Sequence, residues 1–125
     1  MVTKASRFSF EETVATLRDA MARGGATIFA TIDQASAAAS VGMKLRPTTL
    51  IVFGNPKAGT PLMDAFPSIA FELPMKFLVW EEGGTVTIAY EPLAEIAARY
   101  AVTNMDERIE AIDRGMETLS GTVAA

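Results

Sequence analysis

Residues 76–91 read KFLVWEEGGTVTIAYE, and no other stretch narrows the possible folds as far. Two runs rich in β-branched and aromatic residues flank Gly83-Gly84, and two consecutive glycines supply the positive φ angles of a type I′ or II′ hairpin turn. The two runs therefore pair antiparallel. A third run, TTLIVF at residues 48–53, is apolar at nearly every position, as are residues 77–80, which is the pattern of strands buried on both faces. A sheet built from these strands needs cover on its second face, most simply from a second copy of the chain.

The other periodic segments supply the helices that would cover the first face. VTKASRF (residues 2–8) reads as a strand, and SFEE then fits a capping box with Ser9 as N-cap and Glu12 reaching back. Phe10, Val14, Leu17 and Met21 fall on one helical face, and Gly24-Gly25 ends that helix. ATIFATID (26–33) reads as a second strand and QASAAASVG as a short helix stopped by Gly42. Pro92 opens a final helical region carrying Leu93, Ile96 and Tyr100 on one side. Met105, Ile109, Ile112, Met116 and Leu119 continue with helical spacing, although Gly115 weakens that helix by about 1 kcal/mol relative to alanine. Residues 121–125 are expected to fray. This order predicts one α+β domain over residues 1–125, with a single mainly antiparallel sheet.

The chain has no cysteine and no histidine, which removes disulfides, thiolate nucleophiles, the usual base near neutral pH and the commonest zinc ligands. A formal net charge of −4 and a pI near 4.8 argue against general nucleic-acid binding. With no apolar run of membrane-spanning length and no signal-peptide pattern at the N-terminus, the expectation is a cytoplasmic protein without membrane contact.

FGNPKAGTPLMDAFP (53–67) follows the third strand directly. Gly54 and Gly59 have the separation of the glycines in a phosphate-binding P-loop, but Thr60 follows Gly59 where a lysine is required, Lys57 lies inside the loop, and Pro56 lacks an N–H. The spacing instead predicts a strand–turn–helix corner, with Thr60 as N-cap and Pro61 opening a short helix that closes before Pro67. A helix start with free N–H groups beside Lys57 is also a seat for a small anion. Lys44, Arg46, Lys57 and Lys76 fall in a stretch where Asp64 and Glu72 are the only acids, although separate solvated side chains are the preferred reading of those cations. Glu81, Glu82, Glu91 and Glu95 read as strand and helix-start acids, Trp80 and Tyr90 as cross-strand packing, and Met63, Met75, Met105 and Met116 as core filling.

The runs LRPTTLIVFGNPKAGTPLM and LPMKFLVWE resemble the bacterial family called domain of unknown function 302, over about residues 8–100. The resemblance implies a two-layer β-α-β4-α sandwich, similar to one repeat of the TATA-binding protein, with short extra helices. It implies a dimer in many cases and no established activity. Where the family pattern commonly has Ile-Asp-His, this chain has Ile32-Asp33-Gln34, and glutamine keeps hydrogen-bonding capacity without titrating.

The expected function is that of a small, non-catalytic, homodimeric module binding an anionic or polar small molecule near Asp33, Gln34, Asn55, Lys57, Thr60 and Lys76. No cofactor and no metal is indicated. One alternative is an enzyme with Asp33 or Lys76 as base, and another is a purely structural or protein-interaction module.

Overall fold

The computed structural model describes residues 1–125. Strands β1 (Val2–Ala5), β2 (Thr27–Asp33), β3 (Thr48–Gly54), β4 (Met75–Glu82) and β5 (Thr85–Tyr90) form one antiparallel sheet in the order β1-β5-β4-β3-β2. The β4–β5 turn has Gly83 at φ 59° and Gly84 at φ 81°, the left-handed pair of a type I′ turn. Helices α1 (Phe10–Arg23), α2 (Gln34–Ala39), α3 (Pro56–Ala65), α4 (Leu93–Arg99) and α5 (Asp106–Gly121) complete the α+β architecture, with a 3₁₀ turn at Pro67–Phe71.

Local signals place the ends of α1. The Ser9 hydroxyl accepts from the Glu12 N–H at 3.2 Å, Gly24 donates to the Ala20 carbonyl at 3.0 Å, and Gly25 turns the chain at φ 80°. Leu17 and Met21 on its inner face are fully buried against the sheet. There Ile51, Phe53, Phe77, Val79 and Ile88 form the core with Met116 of α5. Phe77 stacks on Phe53 with ring centroids 5.6 Å apart and meets Tyr90 edge-on at 5.1 Å.

Three expectations are corrected. β3 is not buried on both faces within one chain: Thr49, Ile51 and Phe53 are buried, while Thr48, Leu50 and Val52 are half-buried. The register puts Leu50 opposite both Leu78 and Ile32, so the second face carries an apolar strip that also includes Val52 and the half-buried Trp80.

The helix after β3 begins at Pro56 rather than Pro61. Asn55 is its N-cap, accepting from the Lys57 N–H at 3.0 Å, and Pro56 suits the first helical position because its ring fixes a helical φ. Pro61 then sits inside α3, where it forgoes one backbone bond. Starting earlier gains more than a full turn of helix for that loss.

The C-terminal residues do not fray. Val123 is fully buried, Arg7 donates its N–H to the Val123 carbonyl, Ala125 donates to the Ala5 carbonyl, both at 2.9 Å, and Ser6 bridges Ala124. The tail thereby satisfies backbone groups at the outer edge of β1, the sheet's first strand.

Candidate functional site

The corner at residues 53–60 forms one wall of an open cavity of about 590 Å³ between α1, α5, α3, the ends of β2 and β3, and the segment that leads into β4. Gly54, Asn55, Pro56, Ala58, Gly59 and Thr60 line it from that corner. Its floor is the buried set Met21, Phe53, Met75 and Met116. Phe29, 54 % exposed, stands at its edge. The β2–β3 register shifts between Ile28 and Ala30, which leaves Phe29 without a ladder partner.

Small residues leave the space. Ala20 on α1 and Gly24 at its C-cap, and Ala111 and Gly115 on α5, lie about one turn apart and line the cavity. A Cβ added at Gly115 would meet no atom within 4 Å, so the helix-weakening glycine of the sequence borders open volume.

None of the 23 lining residues carries an ionisable side chain. The polar ones are Asn55, Thr60, Thr118 and Thr122. Thr122 donates to the Leu119 carbonyl at 2.6 Å, and Asn55 spends its carbonyl oxygen on the Lys57 N–H, which leaves its amide nitrogen as a donor. The start of α3 offers an anion little: Pro56 has no N–H, Lys57 donates to the Asn55 side chain, and Ala58 and Gly59 both donate to the Asn55 carbonyl at 2.9 Å.

The six residues singled out in the sequence do not converge. Asn55 and Thr60 line the cavity. Lys57 is exposed, between the lining residues Pro56 and Ala58. Asp33 pairs with Thr49 at the opposite end of the β2–β3 ladder from Thr27 and Gly54, about 20 Å along the strand. Its carboxylate caps α2 by accepting from Ser36 N–H at 2.9 Å, and Gln34 is the exposed first residue of that helix. Lys76 pairs with Val52, and its ammonium donates to the carbonyls of Glu72 at 2.8 Å and Pro74 at 3.3 Å. It borders a separate hollow of about 210 Å³. Of the other cations in that stretch, Arg46 pairs with Glu82 at 3.0 Å.

The groups with displaced pKa values lie elsewhere. Arg99 grips Glu91 with two bonds of 2.9 and 3.0 Å and approaches Glu72 at 3.5 Å, while Tyr100 donates to Glu72 at 2.9 Å. The hydrogen bond from Arg99 holds Glu91 below its ordinary value, and the bond to Glu72 raises Tyr100. Lys4 holds Glu117 down, and burial raises Tyr90. None of these side chains lines the large cavity, and no cluster of three or more acidic side chains is placed to hold a metal ion. Sequence reasoning missed Phe29, Ala20, Gly24 and Gly115 as site residues; the one-turn repeats of small residues on two otherwise core-facing helices were the available signal.

Comparison with known proteins gives a consistent answer on the fold. The family model described as domain of unknown function DUF302 matches residues 2–119. A crystal structure of an uncharacterized conserved DUF302 protein from Bacillus stearothermophilus superposes with a TM-score of 0.88 at 15 % identity, covering 98 % of this chain and 96 % of that one. Among curated proteins, the chain is 34 % identical over 122 residues to the fluoride-specific ion channel FluC 1 of Brucella suis biovar 1 (strain 1330), covering 96 % of this chain and 48 % of that protein. The FluC 1 of Brucella abortus biovar 1 (strain 9-941) matches at the same identity over 45 % of its length. The chain thus spans about half the length of these relatives. No helix here is long and apolar enough to cross a membrane.

Proposed function

Because this chain belongs to the DUF302 family of α+β domains, whose name assigns no activity, we propose from its own geometry that it is a non-catalytic small-molecule-binding module acting as a homodimer. The observation that carries this reading is the cavity at the corner that marks the family resemblance. Its volume falls inside the range of about 300–1,000 Å³ usual for ligand pockets, and its wall is mostly apolar with a few polar groups, Asn55 and Thr60 among them. Lys57, exposed between the lining residues Pro56 and Ala58, supports an added hydrogen bond to a ligand's polar end.

Turnover is disfavoured because no titratable group reaches the cavity, so general acid–base chemistry has no agent there. Asp33 and Lys76, the candidate bases, are each spent on main-chain groups in separate parts of the fold. The apolar strip through Leu50, Leu78 and Trp80 supports pairing of two copies through the second sheet face.

The Brucella relatives support the module reading. An ion channel needs membrane-crossing segments, and the half matched here corresponds to a chain without such a helix. We read the domain as a binding unit that can be joined to a membrane protein whose channel lies in the remaining half.

The test compares the wild type with Gly115→Phe, which places a ring in open volume without positive-φ strain. In a thermal-shift screen of metabolites, a ligand at a hundred times its Kd stabilises the wild type by about 2.7 kcal/mol and leaves the variant unmoved. A screen without any stabilising compound, or one with equal responses in both proteins, overturns the reading.

A further inference from the structure

We propose that the cavity selects a neutral, predominantly apolar ligand, an alkyl chain ending in an alcohol-type group, that enters past Phe29 and is held at its polar end by Asn55 and Thr60. This inference rests on the binding function proposed above and names the class of molecule bound.

Charge is the first argument. An ionised group placed among the buried Met21, Phe53, Met75 and Met116 would leave water and meet no counter-ion, because no lining side chain is ionisable. The helix start that would otherwise receive an anion has its N–H groups engaged by Asn55. The Asn55 amide nitrogen and the Thr60 hydroxyl match a neutral hydrogen-bonding group instead.

Shape is the second. Met21, Met63, Met75 and Met116 all line the cavity, and methionine side chains adapt to flexible apolar partners more readily than branched ones do. Phe29 is a large apolar ring more than half exposed at the edge, and a chain entering beside it removes apolar surface of both from water.

Hexanol, octanol and decanol, titrated into the full chain by calorimetry, provide the test, with octanoate and octylamine as charged counterparts of one length. Affinity is expected to rise about fourfold for each methylene until the cavity is full. Octanoate and octylamine are expected to bind about tenfold more weakly than octanol at pH 7. Thr60→Val, which keeps the shape and removes the hydroxyl, is expected to lower octanol affinity about fivefold. Gly115→Phe is expected to abolish binding while keeping its cooperative unfolding.

Affinity that is flat with chain length, charged ligands that equal octanol, or octanol binding that survives Gly115→Phe each overturns the proposal. If polar metabolites bind the wild type and not Gly115→Phe while the alcohols fail, the cavity function stands and the apolar class falls. If neither set binds, both fall.

Discussion

Asp113, on α5, holds the start of α4 from twenty residues away in sequence. Its two carboxylate oxygens accept from the N–H groups of Leu93 at 2.6 Å and Ala94 at 3.0 Å, a task that Pro92 at the N-cap has no side chain to perform. Asp113→Ala leaves those donors without a protein partner and is expected to cost about 1–2 kcal/mol in urea unfolding. A variant as stable as the wild type would show that water replaces the cap without loss. Such a cap cannot be read along the chain, because spacing reports only partners within a turn or two. Ser9, Gly24 and the Gly83-Gly84 pair were legible for that reason. Asn55-Pro56 and Thr60-Pro61 both satisfy the local rule for a helix start, and the longer helix decided between them.

At the scale of elements, α4 is fastened at both ends. Asp113 caps its start, and Arg99 in its last turn joins Glu91, just past β5, to Glu72, just past the 3₁₀ turn. Glu91 has its pKa lowered from an ordinary 4.5, so its contribution is complete above that value and fades as pH falls through the lower folded value. Tyr100 is raised from 10.0, so its contribution is complete below pH 10 and fades as pH rises beyond it. Arg99→Gln is expected to cost little stability at pH 7, because the pair is partly exposed and screened by solvent. It should also flatten the fall in stability on the acid side, measured by denaturant midpoints across pH 3–7. An acid limb identical to that of the wild type would remove Glu91 as its source. The long helices were legible because each repeats a period, and β2 to β5 because each is a run rich in β-branched or aromatic residues. The 3₁₀ turn carries no period and was not.

For the whole molecule, the apolar second face is the feature a single chain does not resolve. Light scattering is expected to give about twice the chain mass of 13.3 kDa, and Leu78→Glu, on that face, is expected to give the monomer with unchanged circular dichroism. A monomeric wild type would remove the dimer from the proposed function. The cavity was illegible for a related reason: its wall is assembled from α1, β2, β3, α3, the segment before β4, and α5, and no single segment shows a void. Asn55 and Thr60 could be marked as candidates because their corner is unusual in sequence, whereas Gly115 looked only like a flaw in a helix. The tie between the chain's two ends has a mechanical consequence. Ala125 meets Ala5 and Val123 meets Arg7, so the strand and the tail run antiparallel and leave the domain side by side. A pull on the tail would unzip these bonds one after another, starting at Ala125, whereas a pull on Met1 would load the β1–β5 ladder directly.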